Sequence, residues 1–226
     1  MLRASYEYFK VNNNENLHND KLFLTGYSEG GFATMSMFKL LQENHADEFN
    51  ITAVTVGAGA YNKTAFADWI VSSNEDLFHI NSFVWVLDVY NTIYSQLNRP
   101  YSYYFNEPWA SIIANQGVFA PIEQNPQLLL TASFIDNYSG GYDTDLISVF
   151  AENNCYDWKP LSPLQLYHGT DDIYVPYFNS STTYDAMVYQ GSTEVELITI
   201  QGGDHVTTLG DYSIGTFMFF QSFLTN

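Results

Sequence analysis

Ser28 stands between glycines in Gly26-Tyr27-Ser28-Glu29-Gly30, directly after the apolar run Lys21 to Thr25. A serine in G-x-S-x-G is a nucleophile when a sharp strand-to-helix turn holds its hydroxyl up in a strained conformation. Glycines on both flanks relieve the crowding that such a turn creates. A bare match to five positions recurs by chance, so its surroundings decide. An apolar strand precedes this match. After it, Gly30 to Glu43 carries Met35, Phe38 and Leu41 on one helical face with no proline. That context favours a nucleophile over a glycine-rich turn whose serine merely caps a helix.

A serine hydroxyl attacks only when a base takes its proton, and the base needs a carboxylate to set its tautomer. The chain has five histidines. His18 lies in the polar loop "VNNNENLHND" and His45 at a helix end, both read as solvated. His79 falls in an irregular region where it could line a pocket. His168 ends a strand, where "HG" shapes a turn. His205 follows a later strand in the glycine-loosened "QGGDHVTT", at the strand end where active-site residues gather in open parallel sheets. It is therefore the expected base. Asp171 and Asp172 share the loop after the preceding strand, and the pattern of residues leaves open which of them is the acid.

These residues need elements to hold them. "KLFLT" and "ITAVTVGAG" read as buried strands, as do "PLQLYHG" and "VELITI". Helices are expected over Leu2 to Phe9, after Ser28, over "NSSTTYDAMVYQG" with its Ser/Asn start and Gly end, and over Thr208 to Leu224. Strand–helix alternation implies right-handed crossovers and a parallel sheet. Residues 61–158 break that rhythm. Phe83, Val86, Leu87, Tyr90, Ile93, Tyr94 and Leu97 recur at helical spacing after a cap at Ser82, and short helices are expected after Glu107, Asn125 and Thr144. This region reads as a helical insertion.

Composition narrows the partners. The 226 residues are 46% hydrophobic and 17% aromatic, enough for a sizeable core. Seven basic against 25 acidic residues leave a net charge of −18, which argues against nucleic acid and anionic membranes as partners. The single cysteine, Cys155, excludes an intramolecular disulfide and a cysteine metal cluster. The opening "MLRASYEYFK" lacks the apolar centre of a signal peptide, and no apolar run is long enough for a membrane span. Localisation is left open, including secretion of a longer parent.

Taken together, "GYSEGG", "HGTDDIYVP" and "GGDH", with nucleophile, acid and base in the order Ser28, Asp172, His205, resemble the α/β-hydrolase superfamily. "HGTDDIYVP" is similar to the segment H-G-x-x-D-x-x-V-P of these enzymes, and that register implies Asp172 as the acid. Within the superfamily the chain looks most like bacterial esterases related to the secretory lipases. The resemblance implies a parallel-sheet α/β-hydrolase fold, N-terminally truncated to about four strands. Residues 1–60 and 159–226 would form its core, and 61–158 a helical cap.

It also implies a serine hydrolase that cleaves carboxylic esters through an acyl-enzyme, with no metal or cofactor. The backbone N–H of Glu29 would supply one oxyanion contact, and the loop carrying the other belongs with the absent strands. Tyr27, Phe83, Trp85, Tyr90, Trp109 and Phe119 are the candidates for contacting the apolar part of a small-molecule ester. Two alternatives stand beside this reading: a peptidase like the prolyl oligopeptidases, and a catalytically weak or silent fragment that acts only by association. Because the strand Lys21 to Thr25 would lack one neighbour, a homodimer or another association through that edge is expected.

Overall fold

The computed structural model describes residues 2–11 and 21–224. His18, expected to be solvated, lies outside the described residues. The chain divides into two compact units, one of residues 1–59 and 155–226 and one of residues 60–154.

The first unit is built on four strands. They are β1 (Leu22–Tyr27), β2 (Ile51–Gly57), β3 (Leu164–Gly169) and β4 (Val195–Ile200). All pair in parallel, in the order β1-β2-β3-β4. Each was legible as a short, largely apolar run, and β2 also by its β-branched residues. The helices of this unit are α1 (Leu2–Val11), α2 (Glu29–Asn44), α10 (Phe178–Tyr189) and α11 (Thr208–Ser222). The period of two along a strand sends alternate side chains to opposite faces. On β1, Phe23 stacks on Phe220 of α11 at 4.6 Å, and Thr25 bonds the Tyr212 hydroxyl. Gly26, on the other face, abuts Gly30 and Thr34 of α2. On β3, Tyr167 meets Tyr212 of α11, while His168 on the opposite face reaches Ser180 of α10. So α2 and α10 cover one face of the sheet and α11 covers the other.

The core follows from this layering. In β2 the residues Ala53, Val54, Thr55 and Val56 are all fully buried, as a central strand covered on both faces requires. Met35 and Phe38 of α2 are fully buried, and the Phe38 ring meets Trp158 edge-on at 4.9 Å. Burying one side chain of this size contributes about 1.5–3 kcal/mol.

The second unit is helical. It contains α3 (Lys63–Ser72), α4 (Ile80–Ile93), α5 (Tyr101–Tyr104), α6 (Trp109–Gln116), α7 (Pro126–Leu129), α8 (Ala132–Ser139) and α9 (Thr144–Glu152). Its own core gathers Val84, Leu87, Tyr104, Leu129, Phe134 and Leu146, among others. A polar pin crosses it. Arg99 donates to both oxygens of Asp143 at 2.6 and 2.8 Å, and Asp143 in turn caps α9 through the Leu146 N–H. Burial pushes the Asp143 carboxyl up, but Arg99, the Leu146 N–H and the Tyr103 hydroxyl together outweigh it and hold the group below its ordinary value.

Details of the insertion differ from the sequence reading. The long helix begins at Ile80 with His79 in the capping position, not at Ser82. The Ile80 N–H bonds the Leu77 carbonyl, so the chain is already turning there. Its buried face is Ile80, Val84, Leu87, Tyr90 and Asn91, while Ile93 is exposed. A helical period admits both stripes, and the polar Asn91 belongs to the buried one because both its amide oxygen and its amide nitrogen are bonded. It takes the Arg99 N–H and the Tyr104 hydroxyl and donates to the Arg99 carbonyl. Helices α3, α5 and α8 were not anticipated from the sequence.

Candidate active site

β1 ends at Tyr27 and α2 begins at Glu29, so Ser28 alone makes the turn between them. Its φ of 58° lies in the left-handed region that L-residues avoid, a strain of about 1–3 kcal/mol. Three backbone bonds hold it there. The Ser28 N–H reaches the Gly57 carbonyl at 2.8 Å, and the Ser28 carbonyl accepts from Gly31 and Phe32. A Cβ at Gly26 would overlap the Gly30 carbonyl and the Thr34 hydroxyl, so this glycine is sterically required. A Cβ at Gly30 meets open space. Only the first of the two flanking glycines relieves crowding in this elbow. The Glu29 N–H stands in the first turn of α2, where backbone donors have no acceptor within the helix and the dipole favours negative charge.

The loop after β3 separates the two aspartates. Asp171 is exposed, its side chain accepting from the neighbouring Thr170 hydroxyl at 3.0 Å. Asp172 is buried. Its Oδ1 accepts the N–H groups of Tyr174 and Val175, both at 2.9 Å, and its Oδ2 faces His205 Nδ1 at 2.7 Å. Burial alone pushes Asp172 up. Hydrogen bonds from His168, His205 and the Val175 N–H together outweigh that and hold it well below the usual carboxylate range. An ionised carboxylate only accepts, so His205 carries its proton on Nδ1. Nε2 is then free to accept from the Ser28 hydroxyl, 2.9 Å away. The three side chains form one continuous line of hydrogen bonds.

The His205 loop is held on several sides. The Asp204 carboxylate accepts the N–H groups of Val206 and Thr207 at 2.8 and 2.7 Å. Tyr174 packs edge-on to the His205 ring at 4.7 Å. The Tyr27 hydroxyl donates to the His205 carbonyl at 2.8 Å. Its polar atom is thus engaged within the protein.

One contributor was read as a turn former. His168 is fully buried beneath Asp172, with Nε2 3.3 Å from Asp172 Oδ2. The same nitrogen lies 2.7 Å from the Val175 carbonyl, and Nδ1 lies 2.7 Å from the Ser180 hydroxyl. A carbonyl can only accept, so Nε2 carries the proton and Nδ1 accepts from Ser180. The available signal was the four-residue spacing of His168 and Asp172 at a strand end. Of the other histidines, His45 caps the C-terminus of α2 and His79 precedes α4.

The remaining candidates all belong to the helical unit. Tyr90 is buried in that unit's core against Phe150. Phe83 and Trp109 pack on the same core from its edge. Trp85 and Phe119 are exposed, with their rings 6.2 Å apart. Among the described residues no helix is long and apolar enough to cross a membrane.

Comparison with known proteins agrees on the fold. The family model described as Secretory lipase matches residues 2–211. No curated protein sequence matches the chain. A mutant of the rice cell wall degrading esterase LipA from Xanthomonas oryzae superposes with a TM-score of 0.78 at 21% identity. The match covers 97% of this chain and 62% of that one. Candida antarctica lipase A superposes with a TM-score of 0.64 at 18% identity, covering 87% of this chain and 47% of that one. The chain spans about three-fifths of the length of this LipA esterase and about half that of the lipase. At these identities the likeness shows the α/β-hydrolase fold.

Proposed function

The chain belongs to the secretory lipase family, and from that premise we propose that it hydrolyses carboxylic esters by acyl transfer through Ser28. The observation that carries this reading is the unbroken line from Asp172 Oδ2 to His205 Nδ1 at 2.7 Å and from His205 Nε2 to Ser28 Oγ at 2.9 Å. Ser28 Oγ attacks the ester carbon while its proton passes to Nε2. Asp172 orients the ring and stabilises the imidazolium that forms. The Glu29 N–H, at the positive end of α2, receives the developing oxyanion. His205 then returns the proton to the leaving alcohol, and water repeats the sequence in reverse to free the acid.

In this reading the substrate is an uncharged ester with an apolar acyl or aryl part. The strongly acidic chain, with its net charge of −18, disfavours anionic substrates. Comparing a short acyl ester with an aminoacyl amide of the same size tests the reading against a peptidase. The expected result is measurable ester turnover, little amide turnover, and covalent labelling of Ser28 by a fluorophosphonate. Faster amide than ester cleavage would move the chain to the peptidases. A protein that neither turns over the ester nor labels would be a silent fragment.

The same reading includes self-association. Among the described residues the strand order leaves β1 at a sheet edge, and such an edge is a template for another strand. Nearby on α11, Ile214, Phe217 and Met218 are each about two-thirds exposed, apolar area that association would cover. A homodimer paired through β1 is the expected state in solution. Light scattering over a dilution series reads it directly. A persistent species of 25.7 kDa at every concentration would refute the pairing.

A further inference from the structure

Tyr27 directly precedes the proposed nucleophile, yet its side chain does not point toward free space. Its ring lies over Gly57 of β2, where an added Cβ would come within 2.5 Å of it. It packs against Tyr212 of α11 at 5.1 Å and against the His205 ring at 5.5 Å. At its far end the hydroxyl donates to the His205 carbonyl at 2.8 Å. A single residue therefore spans from the backbone of the elbow to the backbone of the residue proposed as base, 178 positions along the chain. Burial first, and the nearby Asp172 charge second, push the Tyr27 phenol well above its ordinary value, so it stays a neutral donor.

The other anchors of the His205 loop do not reach Ser28. The Asp204 turn is local and exposed, and Asp172 grips only the ring through Nδ1. Ring orientation is thus set from one side and backbone position from another. The backbone position fixes how far Nε2 sits from Ser28 Oγ, and proton transfer is steep in that distance. We propose that Tyr27 is a positioning residue: its hydroxyl, held by a ring that needs Gly57 beneath it, ties the His205 backbone to the nucleophile elbow and sets the Ser28–His205 separation. This rests on the ester-hydrolase reading above for its catalytic consequence, but not for its structural one.

Tyr27→Phe removes the one oxygen and keeps the ring, so the variant retains its packing. Two readouts are taken. The first is kcat and KM on a short acyl ester. The second, independent of turnover, is the low-field Nδ1–H resonance of His205 in histidine-labelled protein, assigned by its loss in His205→Gln. The expected result is a kcat lower by about tenfold, the size of one hydrogen bond's net contribution, with KM unchanged and the resonance broadened by loop motion. Gly57→Ala, which pushes the ring off its seat, should reproduce both changes. Unchanged kcat with an unchanged resonance would overturn the proposal. So would a rise in KM alone, which would make Tyr27 a substrate contact. If the wild-type protein shows no ester turnover while Tyr27→Phe still broadens the resonance, the ester reading fails and the positioning role stands.

Discussion

Ser28→Ala is expected to lower kcat for ester hydrolysis by about five to six orders of magnitude, and His205→Ala by nearly as much. A hydroxyl without its base, or a base without its hydroxyl, performs no part of the acyl transfer, so the two losses belong to one unit. The double variant should therefore be no worse than either single one. What remains would come from binding and from the Glu29 N–H. The Ser28 Cβ already occupies the strained turn, with φ at 58°, so alanine adds no clash and removes only the Oγ–Nε2 contact. Thermal unfolding of Ser28→Ala should stay within a few degrees of the wild type, which separates lost chemistry from lost fold. Substantial turnover in Ser28→Ala, with fluorophosphonate still bound elsewhere, would remove Ser28 from the mechanism.

Asp172→Asn is expected to lower kcat by about four orders of magnitude, while Asp171→Asn changes it less than twofold. The reason is in the hydrogen bonds. Oδ1 of Asp172 accepts two backbone N–H groups, so the amide oxygen of an asparagine must stay there. Its NH2 then faces His205 Nδ1 and turns that nitrogen from donor to acceptor. Nε2 gains the proton and can no longer take one from Ser28. Asp171, exposed and bonded by its side chain to the neighbouring Thr170, stands outside the line of hydrogen bonds through His205.

The pair also carries a pH signature. The folded carboxyl of Asp172 is held below its unfolded value of about 3.9. Its contribution to stability is therefore complete above that value and is lost as pH falls toward the folded one. Urea midpoints measured from pH 6 down to pH 3 should fall more steeply for the wild type than for Asp172→Asn. Parallel curves would mean that Asp172 is not the depressed carboxylate.

Much of this was local enough to be legible in the residues alone. The elbow is made by consecutive positions from Leu22 to Asn44: an apolar strand, a glycine that must lack a Cβ, a serine and an amphipathic helix. Each strand announced itself through a short, largely apolar run, and the alternation of strand and helix dictated a parallel sheet. The insertion was legible as helical, but not the face that its longest helix buries. Phe83 and Tyr90 fit a helical period equally well as pocket or core, and the polar Asn91 hid a buried position because its partners lie eight and 13 residues away.

What only the tertiary structure decided depends on groups that meet across long stretches of chain. Asp171 and Asp172 are adjacent and chemically alike. They part because the Asp171 N–H is tied to the Gly203 carbonyl of the next loop at 3.0 Å while Val175 and Tyr174 turn their N–H groups onto Asp172. His168 reads as half of a turn until Ser180 and the Val175 carbonyl fix both of its nitrogens. Tyr27 reads as a side chain free to meet a substrate until the loop carrying His205 arrives beside it and the His205 carbonyl accepts its hydrogen bond. Local sequence settles backbone conformation, because turns and strands are decided by neighbouring residues. Hydrogen-bond partners are settled by the sheet, because β1, β2, β3 and β4 must pair in that order before the loops after β1, β3 and β4 can meet at one end of it.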